Sequence, residues 1–140
     1  MGHQTEEGTE KCYRYPIVTK STPLWDALSH QCPTREVLAR IGDKWTVLVI
    51  TALSPHPQRR FSELRRDIEG ISQKMLTQTL RGLERDGLVT REVEPTVPVT
   101  VRYALAERGQ SLARVLGAVR AWAYEQMDDI EASRQDYDTR

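Results

Sequence analysis

Cysteine is scarce in this chain: its 140 residues carry two, Cys12 and Cys32. Two thiols cannot make the disulfide framework of a small secreted domain, and they form no C-x-x-C pair. Histidine is equally sparse. His3, His30 and His56 are scattered, and His30 with Cys32 does not complete a zinc-binding set, so neither a metal site nor a cofactor is expected. No apolar run approaches the ~18 residues of a membrane span. The opening MGHQTEEGTEKCYRYP has no apolar stretch of the kind a signal peptide needs, so a cytoplasmic location without a membrane partner is expected. The chain also lacks G-x-S-x-G, a phosphate-cradling glycine loop and HExxH, and an enzyme is not expected. Charge of one sign is missing too: 20 Lys and Arg balance 20 Asp and Glu. That excludes a uniformly basic coat, but the distribution of charge is more informative than the sum.

What is present is a pair of short amphipathic helices between Phe61 and Leu88. Phe61, Leu64 and Ile68 recur at i, i+3, i+7 and share one helical face. Ser62 is a candidate N-cap, and Gly70 supplies the left-handed backbone that ends the helix. A second helix starts at Ser72, a good N-cap, with Ile71 and Leu76 in the hydrophobic-staple positions. Leu76, Leu80 and Leu83 form its buried stripe, and Asp86-Gly87 closes it. At 100° per residue Lys74, Gln78, Arg81 and Arg85 lie on the opposite side, with Thr77 at the flank. A short glycine turn between two such helices is a helix-turn-helix. The N-terminal residues of its second helix reach deepest into a DNA major groove. Ser72, Gln73, Lys74, Thr77, Gln78 and Arg81 are therefore the expected DNA contacts, because amides, hydroxyls and cations bond base edges and phosphates. A merely solvated helix face would have the same composition.

Leu88–Glu92 and Val99–Leu105 alternate apolar and polar residues and read as strands around a loop, Val93–Pro98, that holds two prolines. A β-hairpin straight after a helix-turn-helix makes a winged helix. Arg91 and Arg102 are expected to flank the phosphate backbone, although the loop tip has no basic residue and contains Glu94. From Arg59 to Arg102 there are 9 basic and 7 acidic residues, whereas 125–138 has 6 acidic residues and only Arg134 basic. Affinity for random DNA should therefore be weak and salt-sensitive.

Around this motif, Thr34–Ile41 reads as a short helix, and Asp43 caps a second one, Trp45–Leu53, that is apolar on most sides and so should be buried. Trp45 reads as a core residue. A last helix begins near Glu107 and runs to the low 130s. Leu112, Val115, Leu116, Val119, Trp122, Ala123, Met127 and Ile130 form a stripe longer than a compact winged helix can cover, which implies a second copy of the chain. A segment of Tyr13, Tyr15, Pro16, Ile17, Val18, Leu24, Trp25 and Leu28 is a further candidate for that interface. The expected fold is mainly α with a small β-hairpin. Residues 1–31 form an N-terminal extension, 32–106 the winged helix, 107–132 the dimerisation helix and 133–140 a flexible tail.

Three stretches give the chain a family likeness: CPTREVLARIGDKWTVLVITAL (Cys32–Leu53), RRFSELRRDIEGISQKMLTQTLRGLERDGLV (Arg59–Val89) and VPVTVRYALAERG (Val97–Gly109). They resemble the HxlR-type branch of the MarR-like winged-helix transcription regulators. The resemblance implies a homodimer bound to double-stranded DNA at an inverted-repeat operator, and repression by occluding a promoter is the expected action. Two positions depart from the family pattern: Arg102 replaces an acidic residue before the tyrosine, and Ala106 stands where a Thr caps the last helix. Some members sense oxidants through a cysteine at the position of Cys32. Here Pro33 is a favoured first helical residue, so the helix dipole would favour the Cys32 thiolate. Cys32 is thus a candidate redox switch, with Cys12 a candidate partner thiol, and an inert half-buried thiol is the alternative. No pattern specifies a small-molecule effector. A winged-helix protein-interaction module without DNA binding remains the other reading of the same residues.

Overall fold

The computed structural model describes residues 25–140. Cys12, His3 and the segment Tyr13–Leu24 lie outside the described residues. The elements are α1 (Thr34–Ile41), α2 (Lys44–Leu53), β1 (Arg59–Arg60), α3 (Phe61–Asp67), α4 (Gln73–Arg85), β2 (Val89–Glu94), β3 (Thr100–Leu105) and α5 (Glu107–Asp138). The strands form an antiparallel sheet in the order β1-β3-β2. This is the expected winged helix. The two-residue β1, too short to show alternation, was not foreseen.

One apolar core joins all layers. Val49, Ile50 and Leu53 of α2 meet Leu64 of α3, Leu76, Leu80 and Leu83 of α4, Val89 of β2 and Leu116 of α5. The connecting residues Ile68, Ile71 and Leu88 are buried with them, so the turns on both sides of α4 are held by packing as well as by backbone geometry. Gly70 and Gly87 sit at φ +87° and +74°, the left-handed region that glycine adopts without a Cβ penalty. Gly87 directly follows the C-cap of α4, whereas α3 has already ended at the extended Ile68 and Gly70 makes the turn towards α4. The Asp43 carboxylate accepts from the Trp45 N–H at 2.8 Å, which caps α2 as expected.

Four local expectations are corrected. Ser62 does not cap α3. That role falls to Arg60, whose backbone N–H donates to the Glu63 carboxylate at 3.0 Å, because β1 brings the chain in extended up to residue 60. Pro33 is the N-cap of α1 and not its first helical residue. The helix α2 is not buried all round: Thr46, Val49, Ile50 and Leu53 are enclosed, Trp45 is half-buried, and Leu48 is exposed. The last helix continues to Asp138, past the expected end at 132. Its final turns are polar, and i,i+3 and i,i+4 pairs (Arg134 with Glu131, Arg140 with Asp136) support them.

Polar links fix the peripheral elements. No residue of α1 is buried; the helix is tied to the domain by Ile41, which packs against the core, and by an ion pair between Arg40 and Asp86, the C-cap of α4. Arg59 bridges Glu63 and Asp67 at 2.7 Å each, which clamps β1 to α3. At the start of α5 an added Cβ on Gly109 would lie 1.9 Å from the Leu88 carbonyl oxygen, so only glycine permits this approach. The same carbonyl accepts from the Ala106 N–H at 3.0 Å. Further along, Arg120 donates to the Thr51 hydroxyl at 2.9 Å and locks α5 against α2.

Candidate nucleic-acid interface

The helix α4 is set for display. Ser72 Oγ accepts from the Met75 N–H at 3.0 Å, satisfying a donor that the first turn would otherwise leave open. Leu76, Thr79, Leu80 and Leu83 then anchor one side completely. On the other side Gln73, Lys74, Gln78, Arg81 and Arg85 are exposed and Thr77 is half-buried. The structure thus brings the predicted set Ser72, Gln73, Lys74, Thr77, Gln78 and Arg81 onto one accessible surface. Ser72 uses one of its two acceptor lone pairs in this cap, and its hydroxyl hydrogen remains available.

The hairpin separates the two wing arginines. Side chains alternate between the faces of a strand, and the register aligns Arg91 with Tyr103 and Glu92 with Arg102. Arg91, Val101 and Tyr103 therefore share one face, and with Phe61, Gln73, Thr77, Leu80, Arg81 and Glu84 they line an open groove between hairpin and α4. Arg102 belongs to the opposite face and its Nε donates to Glu94 at 2.8 Å, so its charge is matched within the wing. Of the two, only Arg91 faces the recognition helix.

Sequence reasoning missed Tyr103, Val101, Phe61 and Glu84 as groove residues. The alternation of Val101 with Tyr103 was visible, but which face turns towards α4 depends on how the hairpin folds back. The structure also exposes Arg60, Arg65 and Arg66 beside the motif, and no ion pair is found for them among the described residues, unlike Arg59.

At the other end of the domain, Cys32 is buried, with 8% of its surface exposed, just before the α1 cap. Its Sγ lies 2.9 Å from Thr34 Oγ1. That hydrogen bond holds the thiol below its ordinary range, helped by backbone N–H groups of Thr34 and Asp26 and opposed by burial and by the Asp26 charge. The preceding turn is pinned by Arg35, which donates to the carbonyls of Ala27 (2.9 Å) and Leu28 (2.7 Å).

A third surface is apolar. Val119 and Trp122 of α5 are more than half exposed, Met127 is 38% exposed, and Val37, Leu38 and Leu48 are open on α1 and α2. Trp25 and Leu28 are also exposed. Only Gly109 and Leu116 of α5 are buried. No helix among the described residues is long and apolar enough to cross a membrane.

Comparison with known proteins agrees with this geometry. The HxlR-like helix-turn-helix family model matches residues 40–131. The HTH-type transcriptional regulator YtfH of Escherichia coli is 39% identical over 108 residues, which is 77% of this chain and 85% of that protein. The structure of the transcriptional regulator YtfH from Salmonella typhimurium superposes with a TM-score of 0.74 at 37% identity, over 79% of this chain and 98% of that one. The redox regulator HypR, solved in its reduced form, gives a TM-score of 0.65 at 37% identity, over 71% and 98% of the two chains. With the family model across most of the winged domain, and the recognition helix and hairpin where that fold requires them, the chain belongs to the HxlR-like helix-turn-helix family and is a winged-helix, DNA-binding transcriptional regulator.

Proposed function

We propose that the protein is a homodimeric repressor that occludes a promoter by placing α4 of each subunit in a major groove of an inverted-repeat operator. The observation that carries this reading is the outer face of α4: five exposed amide and cationic side chains on a helix whose inner face is locked in the core. Lys74 and Gln78 lie opposite the buried stripe in the N-terminal half of α4 and are the base readers. The unfilled apolar face of α5 supplies the two-fold contact, which would set half-sites about one helical turn apart.

Cys32 makes the regulator responsive to thiol oxidants in this reading. The similarity to a redox regulator supports it, as does a thiol whose anion is stabilised by the Thr34 hydroxyl. An oxidant such as diamide would take two electrons from Cys32 and a second thiol. The two sulfurs join in a disulfide, and the diazene takes up both electrons and two protons to become a hydrazine.

The test is an anisotropy titration of labelled duplex from upstream of the protein's own gene against a scrambled duplex, with reductant or with diamide. Selective binding that oxidation abolishes, and that survives oxidation in Cys32→Ser, is the expected result. Lys74→Ala and Gln78→Ala should each cost about 1–3 kcal/mol on the operator alone. Selective binding indifferent to diamide removes the thiol switch and leaves the repressor. No selective binding to any duplex would favour a protein-interaction module.

A further inference from the structure

The groove of about 530 Å³ between α4 and the hairpin has chemistry of its own. Arg81 reaches it from the helix wall and Arg91 from the strand wall, with Gln73, Thr77 and Tyr103 as neutral hydrogen-bonding groups and Phe61, Leu80 and Val101 as an apolar floor. The wall of α4 also carries a single carboxylate, Glu84. Arg81, Glu84 and Arg91 are all exposed, and none of the three forms an ion pair among the described residues. Two unmatched cations thus face one channel from opposite sides, and one unmatched anion reduces their field.

A helix in the major groove and a hairpin beside it straddle the sugar–phosphate strand that divides the major from the minor groove. Arginines on two walls suit a phosphate, which offers acceptors in several directions, better than they suit one base edge, which is read from a single side. The flank of α4 that faces the hairpin holds Gln73, Thr77 and Glu84 beside Arg81, while Lys74 and Gln78 do not line the channel.

We propose that this groove is a channel for one DNA phosphate strand, in which Arg81 and Arg91 grip the backbone from both walls and Glu84 weakens the grip. The proposal rests on α4 entering the major groove and assigns Arg81, among the expected DNA contacts, to the backbone. Residues in the channel then set affinity for any duplex, whereas Lys74 and Gln78 set sequence preference. Glu84 keeps the backbone term low, so that phosphates alone do not hold the protein on random DNA.

The experiment measures affinity over a range of salt concentrations, for a duplex selected by the wild-type protein from a randomised pool and for a scrambled duplex. Arg81→Ala and Arg91→Ala should each weaken both duplexes by about tenfold and reduce the salt slope by about one. Arg81→Lys should restore most of the loss, since a phosphate accepts a point charge in place of the fork that a guanine edge requires. Glu84→Gln should strengthen both duplexes by a similar factor and steepen the slope. Several results overturn the channel: Arg81→Ala acting on the selected duplex alone without rescue by lysine, Arg91→Ala without effect, or Glu84→Gln that leaves or weakens binding. If the pool yields no preferred duplex for the wild type, the base-reading role of α4 fails. The channel then still stands or falls on whether the same variants move affinity for the scrambled duplex.

Discussion

The outer faces of α4 and α5 are opposites. On α4 every exposed side chain of the outer stripe is polar or charged, from Gln73 to Arg85, and its 13 residues bury Leu76, Thr79, Leu80 and Leu83. On α5, 32 residues bury only Gly109 and Leu116, and Val119, Trp122 and Met127 stand in water. The first helix is complete within one chain, and its surface waits for a polyanion. The second is incomplete, because an apolar face left open has its cheapest solution in another apolar face. The proposed function therefore asks two assembly steps of one domain with different chemistries, one weakened by salt and the other nearly indifferent to it.

The strongest way to break this contrast is Trp122→Glu. A carboxylate at the centre of the open α5 face should convert the proposed dimer to monomer in sedimentation. Operator affinity should fall by about a hundredfold or more as the half-sites lose their linkage, while α4 stays intact. An unchanged sedimentation profile would place the subunit contact elsewhere. Leu116→Ala attacks α5 from its inner side. It empties a fully enclosed position and should cost about 2–5 kcal/mol in urea unfolding.

Ser72→Ala sharpens the α4 side. Loss of the bond to the Met75 N–H should cost about 1 kcal/mol of stability and fray the very turn that carries Gln73 and Lys74. The smallest effect is at Glu63. The Arg60 N–H first, then the Arg59, Arg60 and Arg66 charges, hold its carboxyl below the ordinary value of 4.5. A depressed carboxylate pKa stabilises the fold above the unfolded value, and the stabilisation is lost as pH falls through the folded value. The gap in urea midpoint between wild type and Glu63→Gln should therefore be full near neutrality and close below about 4.5.

Much of the fold was legible because it is local. The caps Asp43 and Ser72, the left-handed Gly70 and Gly87, and the 3.6-residue stripe of α4 each depend on neighbours a few residues away. Where the sequence reading slipped, non-local pairing was responsible. Ser62 lost the cap of α3 because β1, paired with β3, ends at Arg60 and the helix starts two residues earlier than a Ser62 cap would allow, at Phe61. Arg102 and Arg91 read alike as wing cations, yet the register assigns them to opposite faces, and Glu94 neutralises only the first.

The sequence by itself determined the helices, their order, the polar surface of α4 and the surplus apolar stripe of α5, since periodicity and capping are properties of contiguous residues. Only the tertiary structure decided which cations remain free, that Arg81, Glu84 and Arg91 share one groove, and that Gly109 lets α5 sit against the Leu88 carbonyl. Those facts depend on the fold-back of the hairpin and on contacts between segments far apart in the chain, and a one-dimensional pattern does not encode such distances.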